Sequence, residues 1–277
     1  MIWAVYRIHY GIDFIKQSVN SIINDVDKIF IFYSNDPWIK TDQIKYKNKL
    51  IKFPSNPENV ESYLKENFSN DKIVIQNYEC DTPLNQFGKL FNKTCKYMNK
   101  KPDYVLFIEP DMIFGENQLK NLKLELNIKF WLSALVAKQI EIWKYEISQN
   151  SKDAYRIALR KKRVGPTLWK ISRNKKEIVT QFGGGALKKK NSFSSFVKIL
   201  NMGFSFNKNT MLYKHLTAMV FSKIIGDSEP DENWYEEKWL NWEKSTKDLE
   251  ISLGSQHLIK KAFRYTIPNK YYKFLIN

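Results

Sequence analysis

The sequence predicts an α/β protein: a mostly parallel sheet with helices on both faces and a basic C-terminal elaboration. Two observations carry this expectation. Over the first 115 residues, short β-branched and aromatic runs alternate with amphipathic segments, the pattern of strands joined by crossover helices. At 43% hydrophobic and 15% aromatic, the 277-residue chain is too apolar to remain disordered despite a net charge of +16. A core of this length buries roughly three quarters of the unfolded surface, so residues 1–277 are expected to form one domain. Neither an internal repeat nor a Pro-, Gly- or Ser-rich linker interrupts it.

Ile2–Ile8 is an apolar run suited to a central strand, and Asp13 can cap a helix to about Asn24 whose inner face carries Phe14, Ile15, Val19, Ile22 and Ile23. Lys28–Tyr33 is the second strand, closed by the turn signal Ser34-Asn-Asp-Pro37. Pro57 opens a helix to about Phe68, Lys72–Gln76 is a third strand, Asn85–Asn99 is helical, and Tyr104–Ile108 is a fourth strand. Beyond Gly115 the pattern loosens. Trp131–Tyr145 fits a strand pair or a helix, Asn207–Ile225 is a largely apolar helix ending at Gly226, and Glu232–Lys244 is a helix with Tyr235, Trp239 and Trp242 on one face.

Two cysteines, Cys80 and Cys95, cannot build a disulfide scaffold or a four-thiolate zinc site, and they fit a reducing compartment. The most apolar stretch, Phe130–Ala137, is too short to span a bilayer and is flanked by Lys129 and Lys138. The N-terminus lacks the pattern of a secretory leader, so a cytoplasmic location is expected, either in the host cell if the chain is viral or peripherally on a membrane.

The positive charge is segregated. Residues 152–190 carry 13 basic and 2 acidic side chains, whereas 1–151 carry 20 and 18, and 191–277 carry 12 and 9. Four of the six arginines (Arg156, Arg160, Arg163 and Arg173) fall in that one segment, beside Lys162. Guanidinium forks match phosphate geometry, so the cluster points to a polyanionic partner.

The most informative local feature is Asp103-Tyr-Val-Leu-Phe-Ile-Glu-Pro-Asp111. Glu109 and Asp111 follow an apolar strand directly, where open α/β sheets bind ligands. Two hard carboxylates there can hold a divalent cation against a diphosphate and so assist departure of a phosphate leaving group. The alternative is an ordinary turn with Asp111 exposed.

On these residues the N-terminal half resembles nucleotide-sugar glycosyltransferases of the GT-A fold. Ala4–Arg7, Tyr10–Ile15 and Val26–Ser34 are similar to that fold's first βαβ unit, and Pro83–Asn92 followed by Asp103–Asp111 is similar to the helix leading into its DxD metal motif, with Glu in the first acidic position. The resemblance covers residues 1–115, the nucleotide-sugar-binding half, and leaves 116–277 as the acceptor-side half. It implies a UDP-sugar or other NDP-sugar donor with Mn²⁺ or Mg²⁺ held by Asp111. It also implies that Glu109 contributes to the donor site, that Tyr6 and Arg7 flank base and ribose, that Asp36 accepts from the nucleoside, and that Lys89 and Asn92 meet phosphate or sugar. A further metal ligand near the C-terminus falls on His257, and His215, inside an apolar helix, reads as a core residue.

An inverting transferase needs a carboxylate base. The candidates are Asp227 and Glu232 in the densest acidic cluster, where helix-start capping is the plainer explanation, and then Glu141 among the apolar neighbours of Gln139–Trp143. Trp143 and Trp234 are candidates to stack on a sugar or base. The basic segment with Tyr155, Trp169 and Phe182 suits a phosphate backbone with an exposed base. A hydroxylated DNA base, as in viral DNA-modifying transferases, is therefore the first acceptor reading. An anionic glycolipid, in lipopolysaccharide or capsule synthesis, is the second, and a non-catalytic nucleic-acid-binding protein the third. A nucleotidyltransferase is disfavoured, because Tyr6–Asp13 is not a Gly-rich basic loop.

Overall fold

The computed structural model describes residues 1–35, 41–78, 86–148, 151–157, 165–171, 180–181, 186–187, 192–225, 230–246 and 262–276. The chain runs through β1 (Ile2–Ile8), α1 (Ile12–Asn20), β2 (Lys28–Tyr33), β3 (Gln43–Tyr46), β4 (Lys49–Lys52), α2 (Val60–Asn67), β5 (Ile73–Asn77), α3 (Gln86–Met98), β6 (Tyr104–Ile108), β7 (Met112–Ile113) and α4 (Gln118–Ile128). It continues through β8 (Ala134–Ser148), β9 (Ser151–Ile157), β10 (Thr167–Lys170), β11 (Thr180–Gln181), β12 (Ala186–Leu187), β13 (Ser192–Asn201), α5 (Lys208–Ile225), a π-helix at Tyr235–Leu240, β14 (Ala262–Thr266) and α6 (Asn269–Leu275).

The main sheet has the order β14-β9-β8-β10-β6-β1-β2-β5, with β13 pairing both β8 and β7. Its N-terminal half, β6-β1-β2-β5, is parallel throughout. β10 enters antiparallel beside β6 and starts a largely antiparallel half. The result is the expected α/β class, a parallel half with helices on both faces, joined to an antiparallel extension.

Period-2 alternation assigns each residue of β1 to a layer. Ile2, Ala4, Tyr6 and Ile8 pack with Ile15 and Val19 of α1, Leu64 of α2 and Leu122 of α4. Trp3 and Val5 face the opposite layer with Phe30, Phe32, Phe107 and the α3 residues Leu90 and Phe91. Helices therefore cover both faces of the parallel half. A second core joins the antiparallel half to α5 and the π-helix through Ile142, Trp143, Leu200, Phe204, Met211, Trp234 and Trp239.

Several elements depart from the sequence expectation. Asp13 does not cap α1. Gly11, at φ +107°, precedes the helix without a side-chain cap, and Glu58 accepts the N–H groups of Gly11 (2.7 Å) and Ile12 (3.0 Å). Asp13 instead accepts the backbone N–H of Asn207 at 2.9 Å. The β3–β4 hairpin escaped detection because its turn residues Lys47 and Asn48 adopt positive φ without a glycine. Trp131–Tyr145 resolves into the start of the long strand β8. The expected Glu232–Lys244 helix narrows to the π-helix Tyr235–Leu240, in which Tyr235 stacks on Trp239 (5.6 Å, 17°). Trp239 Nε1 donates to the Phe204 carbonyl at 2.7 Å.

Candidate active site

The site candidates gather at the carboxyl ends of β1 and β6. The register pairs Tyr6 with Ile108, so the next residues, Arg7 and Glu109, lie side by side. Arg7 Nη2 donates to Glu109 Oε1 at 3.0 Å, and both side chains are partly exposed. The chain then turns, with Met112 N–H donating to the Glu109 carbonyl at 3.1 Å, and delivers Asp111 to a buried position. Its backbone carbonyl accepts from Met202 N–H at 2.8 Å, tying the turn to the end of β13.

That strand end completes a cradle. Asn201 Oδ1 accepts Gly203 N–H at 2.8 Å, an Asx turn that brings the amide oxygen over the glycine. A Cβ on Gly203 would lie 2.6 Å from Asp111 Oδ2, 2.8 Å from Asn201 Oδ1 and 3.0 Å from Lys214 Nζ. Three polar groups from three elements thus converge on the space a side chain would fill. Lys214, from α5, also donates to the Gly203 carbonyl and lies 5.0 Å from the Phe206 ring centroid. Tyr10 borders the group: burial pushes its hydroxyl up, and the negative charges of Asp111 and Glu109 push it further, against the opposing charge of Arg7.

The β1–α1 loop is held from below. His9 Nδ1 bonds the Ser34 carbonyl (2.9 Å), His9 Nε2 bonds Tyr213 Oη (3.0 Å), and Asn56 donates to the His9 carbonyl. Glu58 Oε1 accepts from Thr210 Oγ1 of α5 at 2.6 Å. Because Glu58 fills the α1 N-terminus, that helix end does not serve as an anion site here.

Arg7, Glu109 and Asp111 are thus brought together at one sheet edge. Tyr6 is not part of this group: its ring is fully buried on the other face of β1 and its hydroxyl meets Ser18 Oγ at 3.0 Å, so it packs the core instead of flanking a nucleoside. Lys89 is exposed and Asn92 half-buried on α3, the helix covering the face that Arg7 extends. Glu141 is buried on β8 and pairs in register with Asn201 of the cradle. Glu232 lies beside Tyr46 of the β3–β4 hairpin, where its charge helps raise the tyrosine hydroxyl after burial and Glu236. Trp143, Trp234 and Trp169 are buried core residues, not stacking platforms, and Tyr155 packs on Trp242 with ring centroids 4.9 Å apart. His215 is a core residue as expected, stacked on Trp234 (5.4 Å, 26°). Arg156 is exposed on β9, 5.5 Å from the Tyr265 ring. Asp36, Asp227, His257, Arg160, Lys162, Arg163, Arg173 and Phe182 lie outside the described residues.

Tyr10, Asn201, Gly203 and Lys214 were missed by the sequence reading. Only Asn201-Met-Gly203 left a signal, an Asx-type turn directly after the strand-like stretch Phe196–Leu200.

The residues fit a hard divalent cation whose shell is shared with a ligand. No group of three His, Cys, Asp or Glu side chains among the described residues forms a metal cage. The Gly203 cradle brings a carboxylate and an amide oxygen together, which suits an ion held by one or two carboxylates with phosphate oxygens completing its shell.

No family model matches the chain, and neither does any curated protein. Among solved structures it is similar to residues 1–349 of S. aureus TarS, with TM-score 0.41 and 10% identity over 87% of this chain and 70% of that one. The same fragment in complex with UDP-GlcNAc gives 0.42 and 12%, over 87% and 72%. The mannosyltransferase PcManGT from Pyrobaculum calidifontis, in complex with GDP-Man and Mn²⁺, gives 0.44 and 8%, over 82% and 65%. Similarity of this size carries no functional weight of its own.

Proposed function

We propose that the protein is a glycosyltransferase that moves a sugar from a nucleotide-diphosphate donor, UDP-linked in the first instance, to an acceptor hydroxyl. The observation that carries the reading is the convergence of Asp111, Asn201 and Lys214 on the Gly203 cradle, at the edge where Arg7 pairs with Glu109. Strand-end carboxylates with adjacent cations suit a diphosphate, whose oxygens need both a metal and positive donors.

Asp111, with Glu109 nearby, would hold Mg²⁺ or Mn²⁺, which when bound supplies Lewis-acid neutralisation of the leaving phosphate. Arg7 orients Glu109 and presents positive charge at the donor edge. Lys214 adds a second fixed positive charge, already oriented by the Gly203 carbonyl before substrate arrives. Glu141 is the base we favour, because its strand neighbour is Asn201 of the cradle. A base must accept the acceptor proton as the sugar bond forms, so Glu141→Gln is expected to abolish transfer while leaving donor affinity intact.

For the acceptor, the charge segregation supports a polyanion, and a hydroxylated DNA base was the first candidate. Its aromatic support is weaker once Trp169 is in the core and Tyr155 is covered by Trp242. That observation favours the second reading, an anionic glycolipid acceptor.

The test is thermal unfolding with a panel of NDP-sugars, with and without Mn²⁺. A donor at about 100 times its Kd stabilises the fold by about 2.7 kcal/mol. The metal-dependent part of the shift is expected to vanish in Asp111→Asn. If no NDP-sugar raises the melting temperature with or without metal, the donor reading is wrong.

A further inference from the structure

We propose that the face formed by the end of α4, the Phe130–Trp131 turn and β13 is a docking surface for an anionic lipid bilayer. This surface is independent of the donor site. Phe130 is 61% exposed, Trp131 57%, Phe193 56% and Phe196 78%, and Leu124 and Ile128 are exposed beside them on α4. α4 runs directly into the Phe130–Trp131 turn, and the Phe196 stretch of β13 is fastened to that helix. Glu125 of α4 accepts the Ser195 hydroxyl and the Phe196 N–H (3.2 Å), fastening the helix to β13. The Phe130 and Trp131 rings meet edge to face at 5.3 Å.

The charge around the aromatics selects the occupant. Lys129 Nζ and Lys138 Nζ lie 5.0 and 5.5 Å from the Phe196 ring centroid, and exposed Lys198 follows two residues further on. Glu125 is the acidic side chain in this group, and it is engaged by Lys129, Ser195 and the Phe196 N–H. Protruding Phe and Trp side chains with lysine ammoniums beside them match a bilayer interface. There the rings enter the headgroup and acyl boundary, and the lysine stems lie along apolar surface with their heads towards lipid phosphates. Each lysine near an anionic membrane adds attraction that falls off within a Debye length.

The Phe130–Trp131 end of the surface precedes the start of β8, while its β13 end runs towards the candidate active site, with Lys198 three residues before Asn201 and Lys138 three before Glu141. Ala134, three residues past Trp131, is level with Val105 at the start of β6, through their shared partner Trp169. That strand ends at Ile108, about 10 Å further along at ~3.3 Å per residue, and Asp111 lies in the turn that follows. Docking through the Phe130–Trp131 end would hold the enzyme at a membrane with Arg7 and Glu109 at the far ends of β1 and β6.

The experiment is flotation of the full chain with vesicles of phosphatidylcholine alone or mixed with phosphatidylglycerol. Mixed vesicles are expected to bind at least about tenfold more protein, with binding reduced by salt. The triple variant Phe130→Ala, Trp131→Ala, Phe196→Ala should lose that binding at an unchanged melting temperature and an unchanged donor-induced thermal shift. Lys138→Glu, which leaves the aromatics in position, should weaken it several-fold and covers the case in which the triple variant misfolds. Four results would overturn the proposal: no vesicle binding, binding equal in wild type and variants, a dimer in light scattering that the triple variant abolishes, or duplex DNA binding lost with the same substitutions. Because the donor assay is read separately, failure here leaves the glycosyltransferase reading standing, and failure there leaves this one.

Discussion

Gly203→Ala tests the cradle with one methyl group. The φ of Gly203 lies outside the left-handed region, so alanine suits the backbone there and the effect is steric. The new Cβ would sit 2.6 Å from Asp111 Oδ2, while ordinary contact begins at 3.4 Å, so the carboxylate must retreat by about 0.8 Å. All three crowded atoms are side-chain ends, so Asn201 Oδ1 at 2.8 Å and Lys214 Nζ at 3.0 Å must shift together with the carboxylate. Overpacking of this kind costs about 1–3 kcal/mol of stability, and displacing a ligating group by nearly 1 Å costs about 10²-fold in rate. Donor-hydrolysis kinetics over a Mn²⁺ titration, beside thermal unfolding, give the readout. We expect kcat/KM to fall about 10²-fold, an apparent metal requirement several-fold higher, and a melting temperature lower by several degrees. Wild-type kinetics and metal titration in a folded Gly203→Ala protein would refute the assignment of Asp111 to the metal.

Three further outcomes follow from the geometry. Arg7→Ala removes a partly exposed pair worth at most about 1 kcal/mol, so unfolding should barely change while the KM for donor rises about tenfold; an unchanged KM would exclude Arg7 from the donor edge. Glu58→Ala strips acceptors from the Gly11 and Ile12 N–H groups and the Thr210 hydroxyl, and should cost about 3 kcal/mol in urea unfolding, with Glu58→Gln costing much less; equal losses would show that the hydrogen bonds are not the cause. Burial pushes the His215 imidazole down from 6.5 to about 4, so between those pH values the unfolded chain takes up a proton that the folded one refuses, and stability falls as pH drops through that window, by at most about 3 kcal/mol. His215→Phe should flatten this slope, and an identical acid loss in wild type and variant would rule the histidine out as its source.

What the sequence revealed, and what it hid, divides by the range of the interaction. β1, β2 and β6 were legible because fully buried parallel strands read as continuous apolar runs, and α5 because its largely apolar stretch is followed in the sequence by Gly226. Glu109 and Asp111 were legible as carboxylates placed directly after such a run. Alternation within β1 already separated Tyr6 from Arg7: Tyr6 shares a face with Ala4, and Arg7 shares one with Val5. Assigning both to the donor edge ignored that alternation. The Glu58 cap and the Lys214 cation were illegible because their partners lie 46–47 and 11 residues away, across loops with no local signature.

One face of α5 explains why these distant residues act together. Thr210, Tyr213 and Lys214 lie three and four residues apart, hence on the same side of the helix. Thr210 holds Glu58, which holds the start of α1; Tyr213 holds His9 at the end of β1; Lys214 reaches the Gly203 cradle beside Asp111. The separation between the Arg7–Glu109 edge and the Lys214 charge is therefore set by polar contacts along a single helix face, most of them buried. Such contacts are costly to leave half made. A shift of α5 would break the His9 and Glu58 bonds together, so the fold has reason to keep both positive charges at a fixed spacing before any substrate binds. On the proposed donor reading, that is the preorganisation which stabilisation of a leaving diphosphate requires.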